Sequence, residues 1–176
     1  MADIIIAGFG GQGVLVLGQM ITYSGMIEDK AVSWFPSYGP EQRGGTCNCS
    51  VVIADEEIGS PLVTVPTAAI VMNAPSFDRF EPKVGKGGLL IYNSSLINKK
   101  SERDDIRAIA VPANEIADEL GSARVANMVL LGTFIEATNL IKPESVEKAL
   151  RAVLSERHHN LIPLNMQALE RGRAYQ

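Results

Sequence analysis

The sequence predicts a Rossmann-like α/β fold: an open, mostly parallel sheet with helices on both faces and a helical C-terminal third. Short apolar segments alternate with helical patterns through the first two-thirds of the chain, and helical patterns alone fill the rest. Such alternation is typical of a parallel sheet covered by its crossover helices. Because no linker, repeat or low-complexity tract interrupts the 176 residues, we expect one domain over residues 1–176.

The first element is the most clearly marked in the sequence. The apolar run Ile4–Ala7 ends at once in the glycine-rich segment 8–13, and apolar residues then recur at helical spacing over 14–21. A continuous apolar run bounded by glycine is typical of a strand that is buried on both faces. The segment therefore predicts a strand, a turn and a helix.

The remaining elements follow from the same two periodicities. We expect Pro36 to end the second strand, whereas Pro143 suits the first turn of a helix, where its missing N–H costs nothing. The other expected strands are 31–35, 47–53, 69–72, 88–92 and 106–111. The other expected helices are 76–80, 114–120, 124–138, 144–154 and 161–171.

Charge and composition exclude several classes of function. The net charge of -4 argues against nucleic-acid binding, which needs a basic face. No run of about 18 apolar residues is present, so no membrane span is expected. Cys47 and Cys49 lie too close together for a useful disulfide, and no basic segment precedes the first apolar run. These features indicate a cytoplasmic protein.

The glycine-rich segment is the first candidate site. Gly8, Gly10 and Gly13 fit the G-x-G-x-x-G pattern, and Gly11 and Gln12 lie within it. In that pattern, glycines permit a tight turn, close approach of backbone to a phosphate, and close packing of helix on strand. Free N–H groups at the start of the following helix favour an anion.

The same segment lacks the partner that dinucleotide binding needs. An acidic residue should end the second strand, about 20 residues on, to hold the ribose hydroxyls. Residues 30–36 contain no acid, and Glu28 and Asp29 precede that strand. NAD or FAD is therefore disfavoured. Two interpretations stay open: glycines used only for packing, or contact with a phosphate group or with the backbone of another subunit.

The second candidate site is the segment from Ser37 to Thr46. Ten residues without a periodic pattern are enough to suggest a functional loop. Arg43 can bind a carboxylate or phosphate through two parallel hydrogen bonds, and Glu41 can position it. Tyr38 suits an interface, and the pair Gly44-Gly45 permits close approach of another molecule. A solvated surface turn is the alternative.

No catalytic residue and no metal site is predicted in this chain. Cys47 and Cys49 lack the C-x-x-C spacing of iron–sulfur and zinc sites, so packing is the better interpretation. The sequence contains no G-x-S-x-G, P-loop or H-E-x-x-H motif. Asn127 starts an apolar helical face, and a buried, hydrogen-bonded role is favoured over an interface contact.

Four segments together resemble one family. Gly8–Val14, Ser37–Gly45, Ile58–Pro61 and Asn127–Gly132 are similar, in this order, to the γ subunit of 2-oxoacid:ferredoxin oxidoreductases. The Gly-Gly-Gln-Gly and Tyr-Gly-Pro-Glu-x-Arg-Gly-Gly loops are specific as a pair, although each alone is weak evidence. The form of the second loop looks most like the 2-oxoglutarate group.

This resemblance implies a function that the composition alone does not show. The whole enzyme converts a 2-oxoacid, expected to be 2-oxoglutarate, and coenzyme A to an acyl-CoA and carbon dioxide, and reduces ferredoxin. Thiamine diphosphate, magnesium and iron–sulfur clusters are implied to lie in α and β partners and in a ferredoxin-like δ subunit. The γ subunit is implied to be inactive alone and to help bind coenzyme A through the two glycine-rich loops.

Three alternatives stay open beside this interpretation. The small subunit of indolepyruvate:ferredoxin oxidoreductase shares the fold and the first loop. A stand-alone nucleotide-binding regulator would use the first loop alone. A pure assembly scaffold would use both loops only for contact with protein.

Overall fold

The computed structural model describes residues 1–38 and 46–175, with the backbone alone at Tyr38. Within these residues six strands form one sheet in the order β2-β3-β1-β4-β5-β6. The strands are β1 (Ala2–Phe9), β2 (Ala31–Tyr38), β3 (Thr46–Ala54), β4 (Ala68–Val71), β5 (Leu89–Asn93) and β6 (Arg107–Val111). β1, β4, β5 and β6 are parallel, and β3 runs antiparallel to both of its neighbours. The predicted open and mostly parallel sheet is confirmed.

The described residues form six α-helices, and four of them follow the last strand. They are α1 (Val14–Ile27), α2 (Ala74–Phe80), α3 (Ala113–Glu119), α4 (Ala126–Thr138), α5 (Pro143–Val153) and α6 (Ile162–Arg173). The predicted helical C-terminal third is therefore confirmed. None of the described helices combines the length and the apolar character that crossing a membrane requires.

The expectation that Pro36 ends the second strand is wrong. β2 continues through Pro36 to Tyr38 and stays in register with β3, with Pro36 opposite Cys49. β2 lies at one end of the strand order and, among the described strands, pairs with β3 alone. An edge strand accommodates proline because half of its amide groups need no partner within the sheet.

Helices cover both faces of the sheet, but unequally. The larger core packs β1 residues such as Ile4 and Ile6 against α1, α4, α5 and α6, with Leu17 and Phe134 fully buried. The smaller core lies on the other face, where Phe77 of α2 packs against the side chains of β1, β4 and β5. The chain thus places α1 and α2, the helices that follow β1 and β4, on opposite faces.

The helical third is held together by an unusually close crossing of α4 and α6. A Cβ atom on Gly132 would overlap the carbonyl oxygen of Leu169, and one on Gly172 would overlap that of Val129. Thr133 Oγ1 donates a hydrogen bond of 2.9 Å to Gly172 O across the same contact. Neither glycine adopts a positive φ, so both are required by the closeness of the two backbones.

Candidate functional site

The candidate site lies at the carboxyl edge of the parallel strands. β1, β4 and β5 end there in the glycine loop (residues 8–13), in Met72-Asn73 and in Asn93. Because α1 and α2 leave β1 and β4 toward opposite faces, the edge between these strands is a topological switch point. In open α/β sheets, ligands bind in the crevice at such a point.

The side chain of Gln12 bridges this crevice. Its Oε1 accepts hydrogen bonds from Phe9 N at 2.7 Å and from Asn73 Nδ2 at 3.3 Å, and its Nε2 donates to Met72 O at 3.4 Å. A Cβ on Gly8 would lie 2.6 Å from Gln12 Oε1. Gly8 is therefore explained by the packing of Gln12 and not by the approach of a phosphate.

The other side of the glycine loop is braced by α4. Asn127 is 7% exposed, its Nδ2 lies 3.5 Å from Gly13 O, and its Oδ1 accepts a bond from Met128 N at 3.0 Å. Gly13 has a φ of 80°, and a Cβ there would lie 2.5 Å from Asn127 Nδ2. The buried, hydrogen-bonded role expected for Asn127 is confirmed.

Gly10 and Gly11 are the part of the loop that faces outward. Both are exposed, and a Cβ on Gly11 would meet no atom within 4 Å, although its φ of 95° favours glycine. The sequence left open whether these glycines serve packing or contact with another molecule, and each interpretation applies to a different part of the loop. Gly8, Gln12 and Gly13 serve internal packing, whereas Gly10 and Gly11 are available to another molecule.

A cleft opens beside Gly11 and has two compartments. The inner compartment, about 180 Å³, is lined by the amide side chains of Gln12, Asn93, Asn114 and Asn127. Asn93 Nδ2 donates to Asn114 Oδ1 at 2.7 Å, and Asn93 Oδ1 accepts from Ala113 N at 3.2 Å. These bonds fix two of the amides, at the end of β5 and the start of α3, so this polar part of the inner wall is preformed.

The outer compartment, about 530 Å³, lies between the starts of α1 and α6 and the 3-10 turn before α4. It shares Gly11, Arg124 and Asn127 with the inner compartment. Its remaining wall combines aliphatic residues such as Val125 and Leu164 with the polar residues Ser122, His158 and Asn165. Among the described residues, no Asp or Glu lines either compartment.

The second predicted loop is only partly described. Thr46 pairs with Phe9 and Cys47 with Tyr38, so the residues flanking segment 39–45 lie at the same sheet edge as the glycine loop. The predictions for Glu41, Arg43, Gly44 and Gly45 lie outside the described residues, as does the prediction for the Tyr38 side chain.

The cysteines do not fit an iron–sulfur cluster. Burial raises the pKa of the Cys49 thiol to about 12, and burial also raises the pKa of Cys47. Cluster ligands must be thiolates, which these environments disfavour. Across the described part of the chain, no three His, Cys, Asp or Glu side chains are grouped to hold a metal ion. The donor set likewise does not fit magnesium, which prefers carboxylate oxygens.

The expectation that an acid at the end of β2 would decide dinucleotide binding is wrong. β3 separates β2 from β1, so a residue at the end of β2 would not adjoin the glycine loop. The structural reason that disfavours a dinucleotide is instead the Gln12 side chain, which bridges the switch point.

Sequence reasoning missed several polar residues at this edge of the sheet. Asn73 and Asn93 each follow a predicted strand directly, which was a signal that could have been used, since parallel strands end at one edge. Arg124 carried no such signal because its position depends on how α4 packs against the sheet.

Known proteins resemble the chain along nearly its whole length. Residues 3–175 match the sequence profile of the family described as pyruvate ferredoxin/flavodoxin oxidoreductase. A ketoisovalerate oxidoreductase subunit VorA from Methanothermobacter marburgensis is 42% identical over 95% of this chain, which spans 35% of that relative. A 2-oxoglutarate synthase subunit KorC from Methanocaldococcus jannaschii is 33% identical over 84% of this chain and 81% of its own.

A solved structure agrees with these relatives. The crystal structure of the γ subunit of a keto/oxoacid ferredoxin oxidoreductase from Geobacter sulfurreducens superimposes with a TM-score of 0.83 at 27% identity, and the match covers 99% of this chain and 98% of that one. The chain thus spans about a third of the VorA relative but nearly all of this γ subunit. The resemblance found in the sequence is confirmed, and the chain belongs to the pyruvate ferredoxin/flavodoxin oxidoreductase family.

Proposed function

We propose that this chain is the γ subunit of a cytoplasmic 2-oxoacid:ferredoxin oxidoreductase and forms one domain over residues 1–176. The match over residues 3–175 supports this proposal most directly. The complex converts a 2-oxoacid and coenzyme A to an acyl-CoA and carbon dioxide and reduces ferredoxin. Partner α and β subunits, with a ferredoxin-like δ subunit, hold thiamine diphosphate, magnesium and the iron–sulfur clusters, for which the described side chains offer no fitting ligands.

Two oxoacids are candidates for the substrate. The form of the second glycine-rich loop supports 2-oxoglutarate, and KorC at 33% identity agrees with it. The higher identity of 42% to a ketoisovalerate oxidoreductase subunit favours a branched-chain oxoacid as the second candidate.

The glycine loop contributes to coenzyme A binding in this proposal. Gly10 and Gly11 face outward, and α1 begins directly behind them without a side-chain cap or an acidic residue in its first turn. Such a helix start favours an anion. Gly8, Gln12 and Gly13 act indirectly because their packing fixes the shape of the loop.

Reconstitution tests this assignment. The α and β partners (with δ where it is encoded) are purified with and without this chain, and ferredoxin reduction is followed with 2-oxoglutarate, ketoisovalerate, pyruvate and indolepyruvate in turn. We expect coenzyme A-dependent turnover of one oxoacid only when this chain is present. Equal turnover without the chain contradicts the assignment, and preference for indolepyruvate supports the alternative small subunit.

A further inference from the structure

The two ends of the sheet differ in how they are protected against further strand pairing. At one end of the strand order, β6 spans five residues and begins with the exposed Arg107. At the other end, β2 spans eight residues, stays in register with β3 throughout and contains no charged residue. Short strands and charged side chains discourage pairing at sheet edges, so β6 has protection that β2 lacks. Pro36 also discourages pairing, but it leaves Ala31–Phe35 uninterrupted.

The sheet face beside this edge is left open by the helices. Residues that lie opposite each other in paired strands point to the same face, so Phe35, Ser50 and Ile5 form one row across β2, β3 and β1. Ile5 belongs to the smaller core, where α2 packs over β1, β4 and β5. α1 packs on β2 and β3 from the opposite face, on which Trp34 lies. Phe35 is therefore 47% exposed and belongs to neither core.

This open surface, which we call the β2–β3 face, is uncharged. It consists of Ser33, Phe35 and Ser37 of β2 with Asn48 and Ser50 of β3. Charged residues make up 20% of the chain, yet none stands at these five positions. The cores of protein–protein interfaces are likewise depleted in charge and enriched in aromatic side chains. The composition is thus closer to that of an interface than to that of a solvated sheet surface.

The comparison with the VorA relative favours a partner polypeptide as the occupant of this face. The present chain spans only 35% of that relative, so there the counterpart of this domain is covalently joined to a much longer remainder. In the γ subunit proposed above, a separate partner subunit takes the place of that remainder and must be held by surface contacts alone.

We propose that this partner subunit covers the β2–β3 face and that an extended segment of it pairs with the free edge of Ala31–Phe35. Adding a strand to an open sheet edge is a common mode of recognition, in which main-chain hydrogen bonds provide affinity and neighbouring side chains provide specificity. Phe35 supplies the apolar contact beside the edge. The inference rests on the proposed function because it takes the partner to be the α or β subunit.

Hydrogen exchange tests the proposal on the wild-type protein. The full chain is compared with its complex with purified α and β subunits, and exchange is followed by mass spectrometry. We expect amides in 31–35 to exchange at least about tenfold more slowly in the complex. The matched control is β6, the other edge strand, where exchange should not change. A complex in which 31–35 is no better protected than in the free chain overturns the proposal.

Variants of exposed apolar residues test the same face by affinity. Phe35→Glu should weaken binding to the α and β subunits by at least about tenfold, whereas Phe35→Leu should stay within about threefold of the wild type. Met26→Glu is the matched control, because Met26 is 54% exposed on α1 at the opposite face of the sheet and should tolerate the charge. Equal affinity of Phe35→Glu and Met26→Glu would refute the assignment.

Two further outcomes separate this inference from the proposed function. If a second copy of the chain is the occupant, 31–35 becomes protected as the isolated chain is concentrated and the partners add nothing, which contradicts the inference. If the complex turns over a 2-oxoacid while 31–35 stays unprotected, the proposed function stands and only the inference fails. If no complex forms with the wild-type chain, both fail together.

Discussion

The glycine loop after β1 and the crossing of α4 with α6 both depend on glycines, but for different physical reasons. At Gly132 and Gly172 the backbone of one helix occupies the space that a side chain on the other would need. At Gly11 that space is empty, and only the positive φ calls for glycine. The first pair closes the interior of the domain, whereas the loop keeps a backbone segment open at the edge of the sheet. A glycine in the sequence can therefore be interpreted as a ligand contact only after the atoms around it in the structure are known.

The largest effect is expected at the helix crossing. Alanine in place of glycine normally stabilises a helix by about 1 kcal/mol. Gly132→Ala should instead lower the free energy of unfolding by about 3 kcal/mol, because the new Cβ, in the middle of α4, overlaps Leu169 O of α6. Gly172→Ala should cost less, since α6 ends one residue later and can shift. Urea denaturation measures both changes.

The matched control for these variants is Gly59→Ala. A Cβ on Gly59 would meet no atom within 4 Å, and its φ is not positive, so this replacement should change the unfolding free energy by less than about 0.5 kcal/mol. A stabilised Gly132→Ala would show that the two helices are farther apart than described.

The next effect concerns Gly13 and its contact with Asn127. Gly13→Ala should destabilise by about 2 kcal/mol, because alanine is disfavoured at a φ of 80° and its Cβ would crowd Asn127 Nδ2. Gly11→Ala places alanine at a positive φ but crowds no neighbouring atom, so it should lower the free energy of unfolding by about 1 kcal/mol. Asn127→Ala combined with Gly13→Ala should cost less than the sum of the single changes. Strict additivity would refute the contact.

A smaller effect is expected for Gln12→Ala. This variant removes the acceptor for Phe9 N and Asn73 Nδ2 and should lower the free energy of unfolding by about 1–2 kcal/mol. Hydrogen exchange at the Phe9 amide should accelerate more than exchange at core amides such as Ile6. Gln12→Glu, which keeps an acceptor, should protect the Phe9 amide better than alanine does. Equal protection of Phe9 in all three proteins would mean that Gln12 does not bridge the crevice.

The last prediction is that the isolated chain does not bind NAD. NAD should give no heat of binding with the isolated chain at micromolar concentrations, because Gln12 occupies the crevice at the switch point. Calorimetry with NAD, FAD and ATP checks this prediction. A micromolar dissociation constant for any of them would favour the nucleotide-binding regulator over the γ subunit.

Local patterns in the sequence were sufficient to predict the strands and helices of the parallel part of the sheet. The apolar run Ile4–Ala7 and the glycines after it predict strand, turn and helix from neighbouring residues alone. The insertion of β3 between β1 and β2 could not be predicted in this way, since strand order depends on contacts between residues far apart in the chain. Pro36 was misjudged for the same reason: its tolerance follows from the edge position of β2.

The candidate site, too, could be predicted only as far as neighbouring residues in the sequence determine it. The glycine loop was visible as a motif, but its division into packing and outward-facing residues required the positions of Gln12 and Asn127. Arg124 is separated from the loop by more than a hundred residues and reaches it only through the packing of α4. No periodicity or spacing in the sequence carries that information.

Native purification tests the central claim most directly. The chain is isolated under mild, anaerobic conditions from its source, and the co-purifying chains are identified by mass spectrometry. We predict that α and β subunits of a 2-oxoacid:ferredoxin oxidoreductase elute with it and that the same fractions reduce ferredoxin with a 2-oxoacid and coenzyme A. Elution of this chain alone, with that activity in separate fractions, would contradict the claim.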